Sequence, residues 1–376
     1  MANILMVNLP YAGHTNPTLP MAAQLVERGH AVTYVNAESF RAPIEKTGAR
    51  FVPYADFPAH PSEQQKKMRC FRAAFDTSLG LEEKFDLLIY EMFFYPGLQL
   101  AQRLGVPCVR QFSQPAWNAA TAPDAARFFR LGCRLIDLQI MGKKDRAHMG
   151  LTRGLMESVA FDAPDLNVVY VPAVFQNKRE SFGEDYLFIA PPVAAQPAGI
   201  SIPYEEMPHP LIYISLGSII SNRGFCKECI RAFGNKPVSV ILSTGRIDPA
   251  TLGDIPRNIH AYSFVPQIEV LSHADAFLTH CGMNSANEAM AAGVPMVAMP
   301  FVNDQISNAK RLVEMGLAKR VRSFPSRGKE LYNAALAVAG DAGMHARAQQ
   351  VKQAVLQESA AGMEAAIARV EALIET

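Results

Sequence analysis

The 376-residue chain is 49% hydrophobic and 19% charged, a composition that excludes a disordered or fibrous protein. A chain of this length usually divides into two domains, because domains commonly hold about 100 to 200 residues. Its 36 lysines and arginines nearly balance its 35 aspartates and glutamates. The sequence therefore lacks the basic surplus of a nucleic-acid binder, and we expect a small-molecule partner.

The sequence predicts a cytoplasmic protein without a membrane span. It contains no run of about 18 uncharged apolar residues, and its start lacks the basic region of a signal peptide. Its six cysteines show no framework spacing, so we expect them to be reduced. Cys226 and Cys229 also fit a zinc or redox pair, but no second pair follows and their segment has a helical pattern. We favour ordinary helix residues.

In the first half, β-rich runs alternate with helical patterns, as in a parallel sheet covered by helices on both faces. We predict strands at 3–9, 31–35, 86–90 and 106–112. A helix is predicted at 17–28, with Asn16 as its N-cap and Pro17 at its first position. The composition then shifts to proline, alanine, glycine and serine between 191 and 210, which indicates a linker.

A second α/β domain is predicted after the linker. Its expected strands are 211–216, 238–243, 259–262, 276–279 and 294–299. From 343 onward we expect one or two terminal helices, broken near Gly362. The predicted domains are therefore 1–195 and 210–357, with a linker at 196–209 and a terminal helix at 358–376 that can pack back on the first domain. Sheets of this kind bind ligands at the carboxyl ends of their strands.

A histidine follows the first predicted strand. His14 lies in the turn that leads to the helix at 17–28, where it would point into the crevice between the domains. A histidine is suited to take a proton there, because its pKa is ordinarily about 6.5. Glu91 ends a buried strand at the same edge and can orient His14. An alternative stays open for each residue. His14 can be a loop histidine that bonds to the backbone, and Glu91 can be a solvated acid at the end of a strand.

A second group of polar residues lies between 264 and 305. The strand at 276–279 leads through His280 to a helix start near Gly282, whose amide groups and dipole can receive a phosphate. Glu288 lies one turn into that helix and suits the hydroxyls of a ribose. Ser285 and Glu288 also fit a capping box, and Asp304 also fits the N-cap of the next helix.

Together these residues resemble the sugar-nucleotide-binding signature of the UDP-glycosyltransferase superfamily. The turn Gly-His-Thr-Asn-Pro at 13–17 and the strand end Ser-Leu-Gly-Ser at 215–218 resemble its bacterial macrolide and flavonoid branch. The signature residues that match are Pro266, Gln267, His280, Cys281, Gly282, Asn284, Ser285, Glu288, Gly293, Val294, Pro295, Asp304 and Gln305.

The resemblance implies the α/β fold called GT-B, with two facing Rossmann-like domains, a parallel sheet in each and a C-terminal helix. The N-terminal domain would bind the acceptor and the C-terminal domain the nucleotide sugar. The implied enzyme is an inverting hexosyltransferase that takes a hexose from a UDP or TDP sugar, with UDP-glucose favoured, to a hydroxyl of a phenol, flavonoid or macrolide. No cofactor is implied, and the absence of an Asp-x-Asp sequence argues against a metal. We expect a monomer or homodimer.

The resemblance also assigns roles to individual residues. His14 corresponds to the catalytic base, and Glu91 stands where the family usually has an aspartate. Glu288 corresponds to the ribose carboxylate, and Asp304 with Gln305 to the pair that binds hexose hydroxyls. The diphosphate would be held by Ser218, His280, Gly282, Asn284 and Ser285, and the base by Phe264 and Gln267. Val265 is a further expected donor-binding residue.

Three departures from the family pattern bear on these roles. Glu91 is one methylene longer than aspartate, Phe264 and Met283 replace tryptophans common in plant members, and the segment at 54–85 is shorter than in the branch. A donor-binding helper without chemistry, a sugar-nucleotide epimerase and an NAD dehydrogenase are the competing interpretations. Aromatic residues that can line an apolar acceptor crevice are Phe93, Phe94, Phe112, Trp117, Phe128 and Phe129.

Overall fold

Strands and helices alternate throughout the chain. The computed structural model describes residues 1–124, 127–140, 142–191, 199–217, 222–301, 304–323 and 328–375, with the side chains of 127–129 and 139–140 outside that description. Two compact units result, one formed by Met1–Pro192 with Glu358–Thr376 and the other by Val193–Gln357. The predicted boundary between 195 and 196 lies outside the described residues.

A parallel sheet of seven strands forms the centre of the first unit. Its spatial order is β3-β2-β1-β4-β5-β6-β7, so the strand order reverses between β1 and β4, where sheets of this type bind ligands. β4 and β5 are buried at every residue, as expected for strands covered on both faces. The strands are β1 Asn3–Val7, β2 Ala31–Asn36, β3 Arg50–Pro53, β4 Leu87–Glu91, β5 Cys108–Phe112, β6 Leu166–Val169 and β7 Tyr186–Phe188.

In the described part of this unit, eight α-helices connect the strands. A π-helical stretch, Ile136–Ile140, continues α6. Short 3-10 turns occupy Asn16–Thr18, Glu38–Phe40, Ala122–Asp124 and Arg179–Ser181. The helices are α1 Ala12–Thr15, α2 Leu19–Glu27, α3 Arg41–Glu45, α4 Glu63–Leu79, α5 Gly97–Leu104, α6 Arg127–Leu135, α7 Lys143–His148 and α8 Leu155–Phe161.

The segment after β1 becomes helical earlier than predicted. Tyr11 is the extended N-cap of α1, whereas Asn16 has helical backbone angles, φ −58° and ψ −41°. The prediction that Asn16 caps the helix is therefore wrong. Pro17 lies in a 3-10 turn between α1 and α2, within its first two positions, where a backbone N–H would have no partner in the turn. As a result, His14 lies on a helical turn rather than in an open loop.

The second unit contains a six-stranded parallel sheet in the order β10-β9-β8-β11-β12-β13. The two sheets confirm the predicted α/β class with a Rossmann-like sheet in each half. The strands are β8 Leu211–Ser215, β9 Ser239–Ser243, β10 Ile259–Tyr262, β11 Ala276–Thr279, β12 Met296–Ala298 and β13 Ala318–Arg320. The helices are α9 Arg223–Phe233, α10 Gln267–His273, α11 Met283–Ala292, α12 Asp304–Glu314 and α13 Gly328–Ala339, with 3-10 turns at Tyr204–Glu206 and Pro249–Leu252.

The cysteines are buried free thiols, as predicted. Cys226 and Cys229 lie on α9 and pack in the hydrophobic core of the second unit. Burial raises the pKa of both thiols, which disfavours the thiolates that zinc binding or redox exchange would need. They are ordinary helix residues, and the zinc interpretation is not supported.

The chain ends in one continuous helix, α14 Ala342–Ile374, so the predicted break near Gly362 is wrong. A Cβ at Gly362 would lie 2.8 Å from Ile189 Cγ2, which shows that the glycine allows a close approach to the first unit's core. Glycine costs a helix about 1 kcal/mol relative to alanine. Burial of Met363, Ile367 and Val370 in that core offsets the cost. Among the helices described, none combines the length and the apolar run needed to cross a membrane.

Candidate active site

Three side chains meet at the carboxyl edge of the first sheet. Glu91 ends β4, Ser113 follows β5, and His14 lies on α1 beyond β1. His14 Nδ1 lies 2.9 Å from Glu91 Oε1 and 2.9 Å from Ser113 Oγ. Ser113 Oγ is 2.8 Å from the same carboxylate oxygen. The structure thus brings together the two residues of the predicted dyad and adds a third.

Glu91 is a fully buried carboxylate rather than a solvated acid at a strand end. Its second oxygen, Oε2, accepts a hydrogen bond of 2.9 Å from the Phe93 amide. Burying a carboxylate is costly unless donors replace its water, and here Phe93 N–H, Ser113 O–H and His14 Nδ1–H converge on it. When Nδ1–H donates to Glu91, Nε2 becomes the nitrogen that can accept a proton.

Ser113 was not predicted from the sequence. It directly follows a predicted strand and lies on the same sheet edge as Glu91, whose partner across β4 and β5 is Gln111. Its position at a strand end was the feature from which a role in the site could have been predicted. In the sequence, however, a serine two residues before Pro115 is typical of a turn, and nothing distinguishes it from other strand-end serines.

Aromatic rings surround His14. The Phe93 ring lies edge-on to the imidazole with centroids 4.8 Å apart, and the Tyr11 ring is 6.1 Å away. Trp117 contacts Phe93 edge-on at 6.2 Å. Of the other aromatic residues predicted to line an acceptor crevice, Phe94 and Phe112 are buried in the core, and the side chains of Phe128 and Phe129 lie outside the described part of the chain.

The helix start predicted after β11 is present in the second unit. α11 begins at Met283, and its N-cap is Gly282, which has no side chain to occupy the first amide groups. The capping-box alternative is wrong, because Ser285 is already the third helical residue and Glu288 contacts a different element. Such a helix N-terminus offers backbone donors and a positive dipole end to an anion.

The His280 ring lies close to two glycines, Gly217 and Gly282, beside this helix start. A Cβ at Gly217 would lie 2.6 Å from the ring's Cε1, and one at Gly282 would lie 2.5 Å from Nε2. Burial lowers the pKa of His280 to about 4, so the imidazole is neutral at pH 7. Its Nδ1 is buried without a hydrogen-bond partner among the described residues, as expected of a nitrogen reserved for a ligand.

Cys281 links β11 to α11 in an uncommon backbone conformation. Its φ is +64°, in the left-handed region that favours glycine, and such residues cost about 1–3 kcal/mol. Two hydrogen bonds hold it there: Cys281 N donates to Thr279 Oγ1 at 3.2 Å, and Asn308 Nδ2 donates to its carbonyl at 3.1 Å. Backbone strain at a candidate site is typical of functional loops.

A hydrogen-bonded cluster joins α10 to α11. Gln267 Nε2 donates to Glu288 Oε2 at 2.5 Å and to Ser285 Oγ at 3.2 Å, while the Tyr213 hydroxyl donates to Gln267 Oε1 at 2.9 Å. Burial raises the pKa of Glu288, and the bond from Gln267 opposes that rise. The structure therefore gathers three of the predicted donor-site residues, Gln267, Ser285 and Glu288.

The remaining predicted donor residues differ in exposure. Phe264 is 62% exposed, so its ring is open to a ligand, whereas the Val265 side chain is buried and leaves only backbone to contact one. Asn284 is exposed on the first turn of α11. Ser218 lies outside the described residues.

Asp304 and Gln305 begin α12 rather than preceding it. Asp304 Oδ2 accepts a hydrogen bond from Asn308 Nδ2 at 3.4 Å, and Gln305 Oε1 accepts one from the Phe301 amide at 3.0 Å. Asn308 also holds Cys281, so α12 and the strained turn are linked. Within the ranges described, no group of three or more histidine, cysteine, aspartate and glutamate side chains is placed to hold a metal ion.

Known proteins are similar to this chain in sequence and in fold. Residues 205–347 match the sequence model of the family described as UDP-glucoronosyl and UDP-glucosyl transferase. NDP-glycosyltransferase YjiC of Bacillus subtilis (strain 168) is 32% identical, over 99% of this chain and 97% of the relative. Oleandomycin glycosyltransferase of Streptomyces antibioticus is 29% identical, over 95% and 88%. The crystal structure of CalG4, the calicheamicin glycosyltransferase, has a TM-score of 0.81 at 27% identity, over 100% of this chain and 98% of that chain.

Proposed function

Because the chain belongs to the UDP-glucoronosyl and UDP-glucosyl transferase family, we propose that it moves a hexose from a UDP-sugar, UDP-glucose first, to a hydroxyl of an apolar natural product. The reaction inverts the anomeric carbon and needs no metal. The first unit binds the acceptor and the second binds the donor. One observation carries this proposal: His14 Nδ1 lies 2.9 Å from the buried Glu91 Oε1, which orients a histidine as a general base.

The proton moves through His14. Nε2 accepts the proton of the acceptor hydroxyl as its oxygen forms a bond to the anomeric carbon, and the bond from that carbon to the diphosphate oxygen breaks with both electrons leaving on the diphosphate. A single displacement of this kind inverts the carbon. Glu91 stabilises the imidazolium that forms, and its three hydrogen-bond donors keep it in place for that task.

The leaving diphosphate gains negative charge, and the start of α11 supplies donors for it. The neutral imidazole of His280, the amides that follow Gly282 and the exposed Asn284 are the proposed contacts, with Ser285 and Ser218 beside them. Preorganised donors of this kind each lower a barrier by roughly 3–4 kcal/mol in enzymes that use them. Asp304 and Gln305 are proposed to bind hexose hydroxyls.

Glu288 favours a ribose over a deoxyribose. A carboxylate is suited to accept hydrogen bonds from the paired 2′- and 3′-hydroxyls, and a TDP-sugar lacks the first of them. The Gln267 amide donates to Glu288 Oε2 at 2.5 Å and orients the carboxylate that is proposed to accept the ribose hydroxyls. The exposed ring of Phe264 is proposed to stack on the uracil.

The acceptor is proposed to be apolar because the accessible surface around His14 is aromatic. Tyr11, Phe93 and Trp117 are each partly exposed. The rings of Tyr11 and Phe93 lie edge-on to the imidazole, and Trp117 lies edge-on to Phe93. Flat phenolic or macrolide surfaces gain from such contacts. The names of the oleandomycin and calicheamicin relatives support acceptors of this kind.

The test is a donor and acceptor panel. The purified chain is incubated with UDP-glucose or TDP-glucose and a set of phenols, flavonoids and macrolides, and products are measured by mass spectrometry and by anomeric coupling constants. Addition of a hexose with inversion from UDP-glucose is the expected result. Conversion of the donor sugar without an acceptor would identify an epimerase, and UDP binding without any product would identify a non-catalytic helper.

The role of the dyad is tested with His14→Ala. Loss of a general base lowers turnover by about 10²- to 10⁴-fold, while affinity for UDP should remain unchanged because His14 belongs to the other unit. His345→Ala, on α14 outside both sites, is the matched control and should keep full turnover. Undiminished transfer by His14→Ala would remove the histidine from the mechanism.

A further inference from the structure

The hydrogen bonds among His14, Glu91 and Ser113 involve three atoms but only two hydrogens. His14 Nδ1, Glu91 Oε1 and Ser113 Oγ form a nearly equilateral triangle with sides of 2.9, 2.9 and 2.8 Å. An ionised carboxylate only accepts, so the two hydrogens belong to the imidazole and the hydroxyl. The hydroxyl can donate to Oε1 or to an unprotonated Nδ1.

The direction of the serine hydrogen decides which imidazole nitrogen is basic. Donation to Nδ1 would require the ring proton to lie on Nε2, and Nε2 could then not accept a proton from an acceptor. Donation to Glu91 Oε1 is favoured, because hydrogen bonds to a charged oxygen are stronger than those to a neutral nitrogen. Nδ1–H then has the same oxygen as its acceptor, and Nε2 is left as the base.

Ser113 also helps to fix the orientation of the Glu91 side chain, which is one methylene longer than an aspartate. A glutamate has one more rotatable bond than an aspartate, so its carboxylate needs more contacts to stay in one orientation. The Phe93 amide holds Oε2 and the Ser113 hydroxyl holds Oε1. Both Glu91 and Ser113 are buried, so water does not compete for these bonds.

We propose that Ser113 is a positioning residue: its hydroxyl donates to Glu91 Oε1, holds the longer acid against His14 Nδ1 and keeps Nε2 as the proton acceptor. This proposal rests on the proposed function of His14 as the base. The hydrogen bond from the hydroxyl to Oε1 offsets part of the negative charge with which Glu91 stabilises the protonated imidazole, and so lowers the proton affinity of the His14–Glu91 pair. Removing the hydroxyl must therefore raise the pH at which the pair takes up its proton.

The test compares Ser113→Ala with Ser78→Ala, which removes a buried serine hydroxyl on α4 whose bond to the Ala74 carbonyl has no part in the site. In Ser113→Ala the acid limb of the kcat/KM profile should move to higher pH by about one unit, with KM for the donor unchanged. Ser78→Ala should keep the wild-type profile. A second measurement, the NMR titration of the His14 ring in the ligand-free protein, should show the same shift without any turnover.

The outcomes separate the two proposals. If the wild type transfers no sugar but the His14 titration shifts in Ser113→Ala, the proposed function fails and the role of Ser113 stands. If the wild type is active and both the profile and the titration are the same in Ser113→Ala, the role of Ser113 is overturned. Should Ser113→Ala fail to fold, Ser113→Cys keeps a weaker donor of similar shape and should shift both measurements by a smaller amount in the same direction; no shift there overturns the proposal equally.

Discussion

Gly282→Ala tests whether the space around His280 forms the diphosphate site. The new Cβ would lie 2.5 Å from His280 Nε2 and 3.0 Å from Cε1, distances at which something must move. The ring is buried, and Gly217 also lies close to Cε1 and Nε2, where a Cβ would be 2.6 and 2.9 Å away. Gly282 itself has φ −60°, so alanine adds no backbone strain and the collision is its effect on the folded protein.

The expected magnitude follows from these contacts. Overpacking a buried site lowers the free energy of unfolding by about 1–3 kcal/mol. Replacement of glycine by alanine raises it by about 0.4–1 kcal/mol, because alanine restricts the unfolded chain. A net loss of about 1.5 kcal/mol would lower Tm by roughly 3–6 °C for a unit of this size. A displaced His280 would also lose a hydrogen bond to a charged phosphate, about 1.5–3 kcal/mol, which corresponds to UDP binding roughly 10- to 150-fold weaker.

Thermal unfolding followed by circular dichroism and calorimetric titration with UDP measure the two effects of Gly282→Ala. The matched control is Gly132→Ala on α6, where a Cβ meets nothing within 4 Å, and it should keep wild-type UDP affinity. Gly217→Ala should be less stable than Gly282→Ala, because its φ of +73° adds backbone strain to the same collision. Wild-type UDP affinity in both Gly217→Ala and Gly282→Ala would refute the assignment of His280 to the diphosphate.

Three further predictions concern protonation and donor choice. The lowered pKa of His280 means that the unfolded chain binds its proton first, so stability should fall as pH drops from about 6.5 to about 4, and His280→Gln should flatten that part of a urea-midpoint profile. Burial raises the pKa of Glu358 to about 7, so its contribution to stability should be lost as pH rises from about 4.5 through 7; an unchanged profile in Glu358→Gln would contradict this. Glu288→Gln should weaken UDP binding more than TDP binding in competition titrations, and equal losses would disprove ribose recognition.

The sequence predicted the parts of the fold that depend on long buried runs. Strands β4 and β5 are such runs, and both were found within two residues of their predicted bounds. By contrast, β13 reads Ala-Lys-Arg and exposes two of its three residues, so it has no apolar pattern to detect. Its existence depends on backbone pairing with β12, a tertiary effect that composition does not encode.

The family resemblance drawn from 264–305 is confirmed by the similarity to known glycosyltransferases. The helix start after β11 was predicted correctly, because it is marked by neighbouring residues in the sequence: a strand pattern, a glycine and then a helix pattern. Local signals failed where a distant contact decides the outcome. Gly362 alone predicts a helix break, but its contact with Ile189 explains why the helix continues. Ser113 alone predicts a turn, but Glu91 at the end of β4 and His14 on α1 bring it into the site.

The division of α14 between the two units has a practical consequence for chimeric enzymes. Residues 342–357 belong to the second unit and residues 358–376 to the first, whose core includes Met363, Ala366 and Val370. A fragment that ends at residue 192 would therefore lack the part of α14 that packs in its hydrophobic core. Exchange of the first unit between homologues should carry residues 358–376 along with the N-terminal segment. During synthesis, likewise, the first unit can complete its core only after the helical residues from 358 onward have left the ribosome.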